Sequence, residues 1–233
     1  MSGFPEILYE DNHLIAVNKQ PGEIVQGDKT GDAPLGESVK AYIKEKYQKP
    51  GAVFLGVIHR IDRPVSGVVL FARTSKALER MNKMFREKEI QKTYWAVVRN
   101  KPSDSSALLV RYLQKNEKLN KSFASLTHRP QALESTLEYN LIASSDTYHL
   151  LEVKPHTGRH HQIRVMLADI GCPIKGDLKY GFNRSNADGS IHLHARAVDF
   201  NHPVTGELIH IEAKAPLQDP LWNFFESCIS DSK

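Results

Sequence analysis

The stretch that most constrains this chain runs from His59 to Gly67 and reads His-Arg-Ile-Asp-Arg-Pro-Val-Ser-Gly. It lies between two apolar runs of β character, 53–58 and 68–72, so a polar turn must be held between two buried strands. Pro64 fixes one backbone angle of that turn, and Gly67 permits a tight re-entry into the second run. The turn carries one carboxylate, Asp62, with Arg60 and Arg63 on either side and His59 ahead of them. A loop presented by a rigid strand pair is a common position for a reactive group. The local pattern leaves two readings open. Asp62 caps the turn and pairs with a neighbouring arginine, or it is a reactive carboxylate supported by positive charge.

Composition narrows the class. The chain has 233 residues, 40% apolar and 25% charged, which is enough core for one large or two small globular domains and excludes a disordered chain. The net charge of +4 permits a polyanionic partner without requiring one. Cys172 and Cys228 stand far apart with no metal-type spacing, so a reduced, cytoplasmic protein is expected. The start, Met1-Ser2-Gly3-Phe4-Pro5-Glu6, lacks the basic-then-apolar pattern of a secretory signal. No apolar run approaches the ~18 residues of a membrane span, and no membrane contact is expected.

Residues 7–9 and 14–18 read as a hairpin around Glu10-Asp11-Asn12-His13, and a Gly/Asp/Lys loop follows at 26–33. Leu35, Val39, Tyr42 and Ile43 have helical spacing over 35–47. Ser75 is a candidate cap for a second helix with Leu78, Met81, Met84 and Phe85 on one face. Residues 91–99 read as a strand, and 100–129 as a polar, partly ordered excursion whose lysines Lys115, Lys118 and Lys121 face solvent. Strands are expected at 133–143 and 148–154, then a helix over 159–170 closed by Gly171. Two loops at 173–181 and 183–190 lead to a strand pair at 191–200 and 207–213, and a last helix opens at Pro216. About nine strands and four helices in mixed order predict an α+β fold, one domain with a largely antiparallel mixed sheet flanked by helices and loops.

Other residues also carry candidate chemistry. His156, Arg159, His160, His161 and Arg164 crowd an expected helix start, where free N–H groups already favour anions, so Arg159 is a candidate phosphate contact. His192 and His194 alternate on a strand and could join His160 or His161 as metal ligands, but no carboxylate or cysteine stands at companion spacing. Tyr94, beside Lys92 and Trp95, either packs in the core or stacks on a base. No P-loop, dinucleotide fingerprint, Gly-X-Ser-X-Gly elbow or plausible cysteine nucleophile occurs.

His59-Arg60-Ile61-Asp62 followed by Ser66-Gly67 resembles the catalytic motif of pseudouridine synthases of the RluA type. Asn18-Lys19-Gln20-Pro21-Gly22 resembles that family's early Asn-Lys-Pro-x-Gly segment, interrupted by Gln20, and Lys92-Thr93-Tyr94 its Lys-x-Tyr strand. Thr157-Gly158-Arg159-x-His161-Gln162-Ile163-Arg164, then Gly171-x-Pro173-Ile174-x-Gly176-Asp177 and Tyr180-Gly181, is similar to its longest motif, and Leu193-His194-Ala195 to its late strand. Each alone is weak; together they span nearly the whole chain in family order.

The resemblance implies the pseudouridine synthase fold over 1–233, with no small N-terminal RNA-binding domain of the S4 type, and an isomerase acting on uridine in structured RNA, ribosomal or transfer. It implies Asp62 as nucleophile on either the sugar C1′ or the uracil ring, Tyr94 stacked on the base, and Arg164 keeping the carboxylate charged. It assigns Leu193 to packing on the same ring and Arg60 to filling the gap left by a flipped base. Arg63, Arg159, Lys19 and Lys175 become phosphate contacts. No cofactor or metal is implied, and a monomer is expected. Val65 stands where the family usually has Thr and Met166 where a His is common, so substrate preference is expected to differ. Two other classes compete: a catalytically silent RNA-binding protein on this scaffold, and a metal-dependent RNA hydrolase built on His160, His161, His192 and His194.

Overall fold

The computed structural model describes residues 4–27 and 31–230. Met1–Gly3, which entered the reading of the N-terminus, and residues 28–30 of the loop at 26–33 lie outside the described residues. In chain order the strands are β1 (Glu6–Glu10), β2 (Leu14–Lys19), β3 (Gly56–Val57), β4 (Ser66–Ala72), β5 (Gln91–Val98) and β6 (Ser106–Asn116). They continue with β7 (Lys121–Ser125), β8 (Leu133–Ser144), β9 (His149–Pro155), β10 (Leu193–Asn201) and β11 (Leu208–Glu212). The helices are α1 (Leu35–Lys46), α2 (Ser75–Glu87), α3 (Gln162–Asp169) and α4 (Pro220–Ser230). The expected fold class, α+β with a largely antiparallel sheet flanked by helices and loops, is the one observed. The chain divides into two compact units, Met1–Gln91 with Ala195–Lys214, and Lys92–His194 with Ala215–Lys233.

The first unit is built on β2 and β4, an antiparallel pair in which every residue is buried. Burial on both faces explains why these strands read as continuous apolar runs rather than alternating ones. Leu14, Ala16, Val68, Leu70 and Ala72 form one core with Ala77 and Met81 of α2. Phe71, on the opposite face, lies beside Gly36 of α1. Each such large apolar side chain contributes roughly 1.5–3 kcal/mol through transfer from water. β1 pairs with β2, β10 lies beside β4, and β11 pairs with β10. Glu10, at the end of β1, ties this unit's edge together: it accepts from Tyr42, Lys46, Tyr47 and Arg73. Burial alone would raise its pKa; the hydrogen bonds from Lys46, Tyr47 and Tyr42 outweigh that and hold it below 4.5.

The second unit orders its strands β5-β9-β8-β6-β7, with β5–β9, β9–β8, β8–β6 and β6–β7 all antiparallel. Trp222 and Phe225 of α4 pack with Trp95, Val97 and Leu150 in its core.

Several sequence expectations are corrected here. The apolar run at 53–58 shrinks to the two residues of β3, because Leu55 packs beside Gly36 of α1 instead of pairing. The polar excursion at 100–129 contains two strands, β6 and β7, since Leu109 and Leu113 find Leu137 and Leu133 across the β6–β8 ladder. Thr74, not Ser75, caps α2; its side chain accepts the Ala77 N–H at 3.2 Å. The last helix begins at Pro220, where the Asp219 carboxylate accepts the N–H groups of Leu221 and Trp222. Eleven strands, rather than nine, occur among the described residues.

Gly67, the second residue of β4, has φ +114, and a Cβ there would stand 2.2 Å from the Ala195 carbonyl oxygen on β10. Both the backbone angle and the neighbouring strand require glycine. Gly67→Ala is expected to cost about 3 kcal/mol or more in urea unfolding; a loss under about 1 kcal/mol would mean that β4 and β10 separate with little resistance.

Candidate active site

In the first unit the His59–Gly67 stretch is held from below by the segment that resembles the family's early motif. Lys19 is 0% exposed, and its ammonium donates to the carbonyl oxygens of Gln20 at 2.9 Å, Arg63 at 3.1 Å and Val65 at 2.7 Å. Three protons meet three carbonyls, two of them in the loop that carries Asp62. The Gly22 N–H adds a fourth tie by donating to the Arg63 carbonyl at 2.9 Å. The loop closes on itself where the Val65 N–H donates to the Asp62 carbonyl at 3.0 Å. Lys19 is therefore corrected from a phosphate contact to a brace: its ammonium points into protein and reaches no solvent.

The other loop residues divide by environment. His59 stacks on Phe85 with ring centroids 5.1 Å apart, and its Nε2 accepts the Leu70 N–H at 3.0 Å, so it anchors the loop entry. Ile61 is buried, Asp62 half-buried and Arg60 exposed, which pins the backbone while leaving the polar side chains toward the surface. Arg63 pairs with Asp32 at 2.6 Å, a half-exposed ion pair worth little to stability.

In the second unit, Tyr94 sits half-buried on β5 opposite Val153 of β9. The Lys92 ammonium stands 3.9 Å from where a Cβ of Gly158 would be, and burial lowers its pKa. Leu193, at the start of β10, is 4% exposed. The expected helix at 159–170 starts later, as α3 at Gln162, with His161 ahead of it in the left-handed region at φ 54. The reason is the Gln162 side chain. Its Oε1 accepts from the Thr157 hydroxyl at 2.7 Å and the Arg159 N–H at 3.0 Å, and its Nε2 donates to the Thr136 carbonyl. Residues 157–161 thus form a turn, and exposed Arg159 is displayed by that turn rather than by a helix terminus. At the other end, Gly171 at φ +78 closes α3 as expected, with its N–H and that of Cys172 returning to Ala168 and Leu167.

Arg164 makes a two-pronged ion pair with Asp177, Nε to Oδ2 at 2.7 Å and Nη2 to Oδ1 at 2.9 Å, with the two residues 5% and 1% exposed. Its guanidinium carbon lies 5.2 Å from the Tyr180 ring centroid. Such a pair is a weak stabiliser of fold but fixes a planar cation in one orientation. Asp177 stands in the sequence only as part of a longer motif; thirteen positions from Arg164, no local periodicity links the two. Lys175 is half-buried and donates to Asn186 Oδ1 at 2.8 Å. Asn186 also reaches His192 Nδ1 at 3.0 Å, and His192 Nε2 meets Asp219 at 3.2 Å. Burial lowers the His192 pKa despite that carboxylate. His160 contacts Ser122 and Asn120 through its two ring nitrogens, and His161 Nδ1 meets the Tyr180 hydroxyl. Among the described residues no group of three or more His, Cys, Asp or Glu is arranged to hold a metal ion. Nor is any described helix long and apolar enough to cross a membrane.

Residues 13–169 match the family model described as RNA pseudouridylate synthase, and the chain belongs to that family. It is 31% identical over 94% of its length to the tRNA pseudouridine synthase C of Pectobacterium carotovorum subsp. carotovorum, and spans 62% of that relative. It is 32% identical to the tRNA pseudouridine synthase C of Yersinia pestis, over 90% of this chain and 86% of that one. It is 35% identical to the ribosomal large subunit pseudouridine synthase C of Escherichia coli O157:H7, over 92% of this chain and 67% of that one. Its fold is similar to that of human RNA pseudouridylate synthase domain containing 4, with a TM-score of 0.74 at 24% identity, covering 91% of this chain and 88% of that one.

The Lys19 brace carries a pH signature. Burial lowers the Lys19 pKa from 10.5 to about 8, partly opposed by the charges of Glu23 and Asp62. Between those pH values the unfolded chain holds a proton that the folded chain has released, so this group makes stability rise with pH. Urea unfolding of the wild type should show that rise between pH 8 and 10.5, and Lys19→Met should remove it. Equal slopes in the two proteins would place the Lys19 titration elsewhere.

Proposed function

We propose that this chain isomerises uridine to pseudouridine in ribosomal or transfer RNA, with Asp62 as the nucleophile. The observation that carries the reading is the loop itself. The family's catalytic Asp position is occupied by a half-buried carboxylate on a backbone braced by Lys19 and Gly22 and anchored by His59. Its relatives' names point to the two RNA classes: transfer RNA for two of those compared, the large ribosomal subunit for the third.

The reaction breaks the bond from C1′ to N1, turns the base, and joins C1′ to C5; the hydrogen at C5 is lost and N1 ends protonated. A carboxylate suits this because it can hold either the sugar at C1′ or the uracil ring in a covalent adduct while the base stays captive. The family pattern gives Arg164 the role of supplying the positive charge that complements this carboxylate. Asp177 then acts as a positioning residue that presents Arg164 in one orientation. Tyr94 stacks on the uracil and handles protons at the base, and Leu193 packs on the same ring.

A uridine within structured RNA must first leave its stack, which costs a few kcal/mol. Arg60, exposed on the loop, fills the vacated space, its planar guanidinium stacking on neighbouring bases. Arg63, Arg159 and Lys175 contribute charge toward phosphates.

Asp62→Asn is expected to lower pseudouridine formation by roughly 10³-fold or more while leaving RNA affinity nearly unchanged. Undiminished product, measured by tritium release from RNA labelled at uridine C5, would sink the mechanism. Arg60→Ala should slow turnover on duplex-embedded uridines more than on single strands; equal losses on both would count against a gap-filling role.

A further inference from the structure

We propose that the β6–β7 hairpin is an RNA-binding arm that extends the charged surface around Arg159. The inference rests on RNA being the substrate and names the part of the chain that grips its flank. Residues 106–129 carry five basic side chains, Arg111, Lys115, Lys118, Lys121 and Arg129, against a single acid, Glu117. Two of these cations are used locally: Arg111 pairs with Asp169 at 2.6 Å, and Lys115 with Glu117 at 2.7 Å. Lys118, on the turn, and Arg129 are exposed, and Lys121 opens β7 half-exposed.

The arm is fixed to the turn that displays Arg159. Its tip residue Asn120 accepts Lys179 Nζ at 3.0 Å through its carbonyl and meets His160 Nε2 at 3.1 Å through Oδ1. The Ser122 hydroxyl donates to the His160 carbonyl at 2.7 Å, and the Ser122 N–H donates to the Tyr180 hydroxyl at 2.9 Å. Lys118, Lys121 and Lys179 are therefore carried on the same framework as Arg159 and His160. A cationic strip on a flexible tether would gain less, because it would have to be ordered when RNA binds.

An aromatic face lies within the strip. Phe123 is 48% exposed on β7, with the Lys121 ammonium 5.7 Å from its ring centroid. Lys121 and Phe123 alternate along the strand and face the same way. An exposed aromatic beside a cation is the pairing that takes a stacked base and its phosphate together. A protein partner would be expected to meet a more apolar centre with fewer lysines. The arm thus fits a single-stranded or loop segment of the RNA substrate.

The test is a titration of the full chain with unfractionated tRNA and, separately, with total ribosomal RNA, from about 50 to 200 mM salt. The proteins are wild type, Lys118→Ala with Lys121→Ala, the turn variant Lys118→Glu, Phe123→Ala, and Lys83→Ala on α2 as a control. Losing two phosphate contacts should lower the slope of log affinity against log salt by about 1.5, with roughly tenfold weaker binding at about 100 mM. Lys118→Glu, at an exposed turn position that does not threaten folding, should weaken binding at least several-fold. Phe123→Ala should weaken it roughly fivefold or more with the slope unchanged. Wild-type affinity and slope in all three arm variants, on both RNAs, would overturn the proposal. Tritium release by the wild type separates the two readings. Arm-dependent binding without pseudouridine formation would fell the activity and keep the arm; pseudouridine formation with unaltered arm variants would fell the arm alone.

Discussion

The loop that carries Asp62 depends on a buried ammonium, and the desolvation of that ammonium is compensated by three backbone carbonyls at 2.7–3.1 Å from Lys19 Nζ. Removing a charge from water is expensive, so a chain that buries one and satisfies every proton specifies the positions of those carbonyls tightly. Two of them belong to Arg63 and Val65, within three residues of Asp62. The backbone beside the proposed nucleophile is thus set by a side chain from β2. Gly67 completes the arrangement by letting β4 begin against Ala195 where no side chain fits.

The second unit solves a similar problem with a charge pair. Arg164 and Asp177 are both almost fully buried and joined by two short hydrogen bonds, with Tyr180 beside the guanidinium. Such a pair contributes little net stability but leaves the arginine with one orientation and a permanent charge. Gln162 does comparable work for Arg159, using a single side chain to shape the turn from 157 to 161. In both places a neutral or acidic residue of the motif holds a basic one, Asp177 through the Arg164 guanidinium and Gln162 through the Arg159 backbone. That gives a physical account of why the motif runs on past the arginines themselves.

Much of this was legible in the chain. The hairpin of β1 and β2, the helices α1 and α2, the strands β5, β8 and β9 and the closure of α3 by Gly171 follow from patterns within a few residues of one another. The expectation of a polar excursion failed for a clear reason. β6 and β7 expose Leu108, Val110 and Phe123 on one side and are charged along their length, so their identity as strands depends on the ladder with β8. The start of α3 was misplaced because the sequence pattern does not reveal that Gln162 would fold back on Arg159. For Lys19, nothing local in the sequence distinguishes a lysine aimed at RNA from one aimed at carbonyls.

By itself the sequence determined the fold class, the family, and Asp62 as the residue to examine first, because these rest on short-range periodicity and on motifs in fixed order. The tertiary structure decided what the cations do. Lys19 became a brace and Arg164 a held charge, since the use of a long, flexible charged side chain depends on which acceptors the fold places within about 3 Å of its end.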